Sequence, residues 1–130
     1  MSENVRRFSD ARGTLAVVEH GSDVAFGFNR AYWLTGLDPA QPRGFHAHHR
    51  TRQFAVCIQG CLRMVMEDPG HPPREVTLFA GGAGLVIEAM VWHEMHDFST
   101  DCILLVLADQ VHEEADYIRD RATWEAVTRG

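Results

Sequence analysis

The residues of this chain best suited to chemistry crowd into Arg43-Gly44-Phe45-His46-Ala47-His48-His49, followed by Gln53 and Gly60. On a strand, His46 and His48 point to the same face, because side chains alternate with period 2. Inside a small barrel both imidazoles would face the interior together. Paired histidines in a pocket serve one of two ends: they hold a metal ion, or they move protons to and from carbon. Tyr32 lies on a segment that feeds the histidine motif, as a phenolic donor or relay.

The elements that must position these groups are short and β-rich. Residues 5–8, 14–19 and 24–34 read as strands, with a turn at Asp10-Ala11-Arg12-Gly13 and a stop at His20-Gly21-Ser22-Asp23. Residues 35–42, carrying Gly36, Pro39 and Pro42, form a loop. Strands follow at 44–49, 53–59 and 62–67, the last two joined as a hairpin at Gly60-Cys61. After the loop Asp68-Pro69-Gly70-His71-Pro72-Pro73, residues 75–79, 85–87, 91–98 and 102–107 complete the set. Turn signals spaced about eight to twelve residues apart indicate an all-β sandwich or barrel. Residues 115–127 change period, and Tyr117, Ile118, Trp124 and Val127 suggest a short C-terminal amphipathic helix. Phe54, Val56 and Ile58 alternate with Gln53, Ala55 and Cys57, while residues 103–107 are apolar throughout. Both faces of those strands therefore want cover, which a homodimer partner is expected to supply; the chain's own N-terminal strands are the alternative.

Composition narrows the function class. At 130 residues, with no internal repeat or linker, the chain reads as a single domain over residues 1–130. Its net charge of -6 argues against nucleic-acid and membrane-surface partners, so an anionic substrate would need a local basic pocket. Cys57, Cys61 and Cys102 are odd in number and read as buried free thiols. Met1-Ser2-Glu3-Asn4 shows no basic or apolar leader, and no apolar run approaches the ~20 residues of a membrane span. The expected compartment is the cytoplasm.

The pattern Gly44-x-His46-x-His48-x4-Gln53-x6-Gly60 resembles the first motif of the cupin superfamily, in which two histidines and a glutamate bind a metal inside a small barrel. Gly84 with Trp92-His93 stands where the second motif supplies a third histidine. Gln53 replaces the glutamate, and a neutral amide is a poor ligand for divalent transition metals, although three histidines alone can hold zinc. A closer resemblance joins Asp10-x-Arg12-Gly13, Arg43-Gly44-x-His46-Ala47-His48, Gln53, Trp92-His93-Glu94-Met95, Asp97-Phe98-Ser99 and Asp116-Tyr117-Ile118-Arg119. In that order, over residues 8–119, they resemble the sugar-nucleotide 3,4-ketoisomerases, or WxcM-like cupins. The resemblance implies a jelly-roll cupin barrel that uses no metal or other cofactor. It implies as substrate a dTDP-linked 4-oxo-6-deoxyhexose, converted to its 3-oxo isomer on the way to 3-amino-3,6-dideoxy sugars.

The residues suit that chemistry. Moving a carbonyl from C4 to C3 takes the C3 proton, passes through an enediol, exchanges protons between O3 and O4, and returns one to C4. A neutral imidazole accepts and returns protons near neutral pH. His46 and His48 are the expected acid/base pair, the resemblance placing His46 at carbon, with Tyr32 as donor or relay. Gln53, His93, Arg30, Arg43 and Arg12 are the candidate substrate contacts, Arg43 as a clamp for the pyrophosphate. Glycine allows close backbone approach beside Arg12, and the Arg12-Gly13 pair resembles family members that give the galacto-configured product. His49, His71, His96 and His112 read as exposed or structural, and Met64, Met66, Met90 and Met95 as core. Trp33 and Trp92 read as core, with stacking on a nucleotide base as the alternative. Two other function classes compete. One is a metal-dependent cupin, a dioxygenase or metal-assisted isomerase built on His46, His48 and His93, against which Gln53 counts. The other is a non-catalytic cupin that binds a small ligand. Sugar-nucleotide 3,5-epimerases also pair histidine with tyrosine, but the His-Ala-His spacing favours the ketoisomerase.

Overall fold

The computed structural model describes residues 2–3 and 5–129. Alternation is clearest at Cys61–Glu67, where Leu62, Met64 and Met66 are buried and the residues between them less so. With this strand as β7, the elements in chain order begin β1 (Ser2–Glu3), β2 (Arg6–Asp10), β3 (Gly13–Val17) and β4 (Arg30–Leu34). They continue β5 (Arg43–His48), β6 (Gln53–Gln59), then, after β7, β8 (Arg74–Phe79), β9 (Gly84–Ile87) and β10 (Trp92–His96). The last are β11 (Ile103–Ala108), a 3-10 turn at Glu114–Asp116, β12 (Tyr117–Ile118) and helix α1 (Arg121–Arg129).

Two antiparallel five-stranded sheets, β1-β9-β6-β11-β4 and β12-β5-β10-β7-β8, make an all-β jelly roll, with β2 and β3 forming a separate hairpin. Between the two sheets Leu62, Met64, Met66 and Leu78 meet Ala55, Cys57, Leu85, Ile87, Leu104 and Val106. The outer face of β6 is covered by the chain itself: Phe54 and Val56 pack with Val5, Val24, Phe26 and Val86. Only the last residues of the expected 24–34 strand are extended. Residues 24–29 instead lie across β6 as an irregular segment, ending where Asn29 donates its backbone N–H to the Ala108 carbonyl at 2.8 Å. The expected hairpin at Gly60 does not form: β6 pairs with β9 and β11, and β7 with β8 and β10, so Gly60, with φ of 73° in the left-handed region that glycine tolerates, carries the chain from one sheet to the other.

The C-terminal expectation needs correction. Residues 115–127 do not form one helix. Tyr117 and Ile118 pair with β5 as an edge strand, and the helix starts only at Arg121, after Asp120 accepts the Thr123 N–H as its cap. Ile118 and Trp124 belong to one apolar cluster with Ala47 and Trp92, so the helical periodicity of the sequence was two elements packing on one spot. Cys57 and Cys102 are buried as expected, but Cys61 is exposed, because it begins the outward-facing row of β7. Trp33 is likewise exposed and not core, whereas Trp92 is buried. No helix among the described residues is long and apolar enough to cross a membrane.

Candidate active site

The histidine strand β5 is not regular. Gly44 and Phe45 both have positive φ, 91° and 59°, and the pairing with β10 slips there: His93 faces His46, but Glu94 faces Gly44. Phe45 is the extra residue of a bulge, turned outward against the ring of His96 at 5.7 Å. The bulge re-aims the strand so that His46 and His48 face the barrel interior and Ala47 the outer apolar cluster. A Cβ on Gly44 would sit 2.9 Å from the His93 carbonyl oxygen, so only glycine permits this approach of β5 to β10.

Three imidazoles meet behind the bulge. Ring centroids lie 4.9 Å apart for His46 and His48 and 4.5 Å apart for His46 and His93. Nδ1 of His46 lies 3.1 Å from the Gly44 carbonyl, and Nδ1 of His93 lies 3.1 Å from the Val91 carbonyl. A carbonyl only accepts, so in both rings Nδ1 carries the proton and Nε2 keeps its lone pair. Nε2 of His48 is buried with no hydrogen-bond partner among the described residues. Burial lowers all three: His46 sits below the ordinary imidazole range, His48 falls to about 4 with help from His46, and His93 to about 3. The three are therefore neutral bases at physiological pH.

Tyr32 and Gln53 complete the interior. The Gln53 amide donates to the Tyr32 hydroxyl, and burial, then the neighbouring Tyr117, pushes that phenol up to about 12. Tyr32 is thus a hydrogen-bond donor that keeps its proton. The open side of the site is a cavity of about 400 Å³ lined by Tyr32, His46, Tyr117, Arg30, Arg43 and Arg119, with Leu34, Gly44 and Met95. Three arginines at the mouth supply the basic pocket that a chain of net charge -6 needs for an anionic ligand. Arg119 pairs with Glu114 at 2.8 Å and lies over the Tyr117 ring, while Arg30 lies over the Tyr32 ring and reaches Nδ1 of His112 at 3.1 Å.

Of the residues expected from sequence, Tyr32, His46, Arg30 and Arg43 line the cavity, and His48, His93 and Gln53 are buried behind it. Arg12 stands apart: its guanidinium is ion-paired with Asp10 and lines a shallow depression on the hairpin with Phe8 and Leu15. Tyr117 and Arg119 were missed as site residues because residues 115–127 read as a helix on the barrel's outside. Their place in the motif Asp116-Tyr117-Ile118-Arg119 was the available signal. Met95, read as core, also lines the cavity. As a metal site, the ligand nitrogens of His46, His48 and His93 lie within 4.8 Å of one another and could hold a divalent ion. The residue in the carboxylate position is Gln53, whose amide is turned to Tyr32, so the donor set lacks charge compensation.

Known proteins match the chain over nearly all of its length. The family model described as FdtA, WxcM-like, C-terminal, covers residues 2–129. The TDP-4-oxo-6-deoxy-alpha-D-glucose-3,4-oxoisomerase of Aneurinibacillus thermoaerophilus is 40% identical over 116 residues, 89% of this chain and 83% of its own. A 3,4-ketoisomerase from Helicobacter canadensis superposes with a TM-score of 0.94 at 30% identity, covering 100% of this chain and 97% of its own. A histidine-to-asparagine mutant of the Thermoanaerobacterium thermosaccharolyticum 3,4-ketoisomerase, solved in complex with TDP-4-keto-6-deoxyglucose, gives 0.93 at 29% identity, covering 99% and 93%. With His46 on the wall of an arginine-rimmed cavity and His48 behind it, the chain belongs to the WxcM-like family and is a sugar-nucleotide 3,4-ketoisomerase of the cupin fold.

Proposed function

We propose that this enzyme converts dTDP-4-oxo-6-deoxyglucose to a dTDP-3-oxo-6-deoxyhexose by proton transfer between neutral histidines, without a metal. The observation that carries the reading is the Nε2 lone pair of His46 at the wall of an arginine-rimmed cavity. His46 removes the C3 proton as the C3–H electron pair becomes the C3–C4 double bond and O4 takes the negative charge. The Tyr32 hydroxyl, held protonated by burial, donates a hydrogen bond that stabilises that oxyanion. His48, next to His46, relays a proton from O3 to O4, and the protonated His46, after exchange with solvent, delivers a proton to C4, which leaves the carbonyl at C3 and restores the neutral base. Arg43, Arg30 and Arg119 face the diphosphate, whose charge the cavity mouth complements.

The reading includes a homodimer. In a single chain the β2–β3 hairpin leaves Phe8 and Leu15 uncovered, 58% and 63% exposed, with Arg12 at its tip. A second copy under the hairpin would cover both residues and let Arg12 serve that copy's cavity, where the Arg12-Gly13 pair favours the galacto configuration at C4.

Proton NMR of chelator-treated protein with dTDP-4-oxo-6-deoxyglucose in deuterium oxide tests the reaction. The expected result is the 3-oxo isomer with deuterium at C4; the same reaction run in ordinary water should show a small H4–H5 coupling, the mark of the galacto product. Turnover only after iron or zinc is added would replace this reading with the metal-dependent one on His46, His48 and His93. A large coupling would overturn the stereochemical part alone.

A further inference from the structure

The chemistry above leaves Asp116-Tyr117-Ile118-Arg119 largely unused. This segment is the edge strand β12, with Tyr117 opposite His48 and Ile118 opposite Ala47 on β5. Residues paired across a ladder share a face, so Tyr117 joins the histidines inside and Ile118 joins the outer cluster. The Tyr117 ring lies 4.5 Å from His48 and 5.1 Å from His46, inclined at 61° and 54°, and the Arg119 guanidinium sits 4.2 Å from its centroid. Asp116 latches the segment from behind. Its buried carboxylate accepts the N–H groups of Arg50 at 2.8 Å and Thr51 at 3.3 Å and the Thr51 hydroxyl, and its carbonyl accepts the His49 N–H at 2.8 Å. Those donors form the turn that directly follows His48. One turn therefore sets both the end of the histidine strand and the depth of the tyrosine.

We propose that Tyr117 is a positioning residue for the isomerisation: its ring, and not its hydroxyl, orients the His46 and His48 imidazoles and keeps water off them, with Asp116 as the latch. The role in turnover rests on the active-site reading above. Inclined aromatic pairs fix ring orientation, and the cation over the tyrosine holds that ring in turn. Proton transfer to carbon needs that orientation, since a misplacement of about 1 Å costs about 100-fold in rate.

The test compares Tyr117→Phe, Tyr117→Ala and the bulkier Tyr117→Leu, which keeps the proposal testable if the alanine variant does not fold. Tyr117→Phe should keep kcat within about threefold of wild type. Tyr117→Ala or Tyr117→Leu should lower kcat about 100-fold, well beyond any change in TDP affinity. Independently of turnover, the His46 Nδ1–H signal should persist in proton–nitrogen spectra of wild type and Tyr117→Phe, and exchange with water at least about tenfold faster in the other two. Asp116→Asn should move both readouts in the same direction. A folded Tyr117→Phe as slow as Tyr117→Leu would put the hydroxyl in the chemistry and overturn the proposal. So would a Tyr117→Leu with wild-type kcat and a protected His46 proton. If wild type fails to turn over yet the His46 proton responds as stated, the functional reading fails and the positioning of His46 stands.

Discussion

His46 and His48 have the same side chain and different surroundings. His46 lines the cavity, whereas His48 is 2% exposed and lies behind it. His46→Asn should therefore lower kcat at least about 1,000-fold while TDP affinity stays within about threefold. A collapse of TDP affinity would make His46 a ligand or fold contact instead, and calorimetry with TDP separates the two. Protonation gives a second prediction. Burial holds all three histidines below the unfolded value of about 6.5, so the unfolded chain binds protons first as pH falls. Stability is then fully present above about pH 6.5 and declines towards the folded values near 4 and 3. The base stays neutral over the upper part of that window, so kcat/KM should hold through about pH 6.5 and fall only below it. Urea midpoints and a kcat/KM profile across that window check both, and an acid limb centred at or above about 6.5 would contradict them. The spacing His46-Ala47-His48 predicted the shared face; the neutral state depends on what covers that face.

At the scale of elements, the bulge at Gly44-Phe45 converts two adjacent strands into a site. Without it, the alternation of β5 would run unbroken from Arg43, and His93 would face a different partner. Gly44→Ala forces a Cβ against the His93 carbonyl at a φ of 91°, so the variant should lose about 1–3 kcal/mol of stability in urea unfolding. Its turnover should fall further than its stability, because the strand can relieve the contact only by moving His46. Unchanged kcat in Gly44→Ala would show that the bulge does not position the histidine. Strands with a buried and an exposed face, such as β7, and the sharp turn at Gly60 were legible from period and turn residues, but that this turn passes between two sheets and does not close a hairpin was not. Residues 24–29 and 115–118 were not: their backbone hydrogen bonds go to partners distant in sequence, Asn29 to Ala108 and Tyr117 to His48, and local pattern carries no trace of such pairing.

For the whole molecule, the exposed Phe8 and Leu15 of the hairpin give the proposed dimer its test. Sedimentation equilibrium should give a dimer, and replacing Phe8 and Leu15 together with serine should give a monomer of reduced turnover, because Arg12 would lose its place at the second cavity. A wild-type monomer of full activity would remove both the dimer and Arg12 from the function. The sequence by itself determined the groups suited to the chemistry, the histidine pair, the third imidazole and the neutral Gln53, and the β-rich frame that carries them. Each of these follows from residue type and from spacings of a few positions, which the two-residue repeat of a strand converts directly into a shared face. Only the tertiary structure decided what surrounds them. Tyr117 and Arg119 arrive on an edge strand laid beside β5, and Arg30 and Arg43 converge on the mouth from neighbouring segments. The burial that keeps the imidazoles neutral comes from both sheets. Strand order and register are set by the collapse of the core as a unit, and a local pattern read along the chain does not contain them.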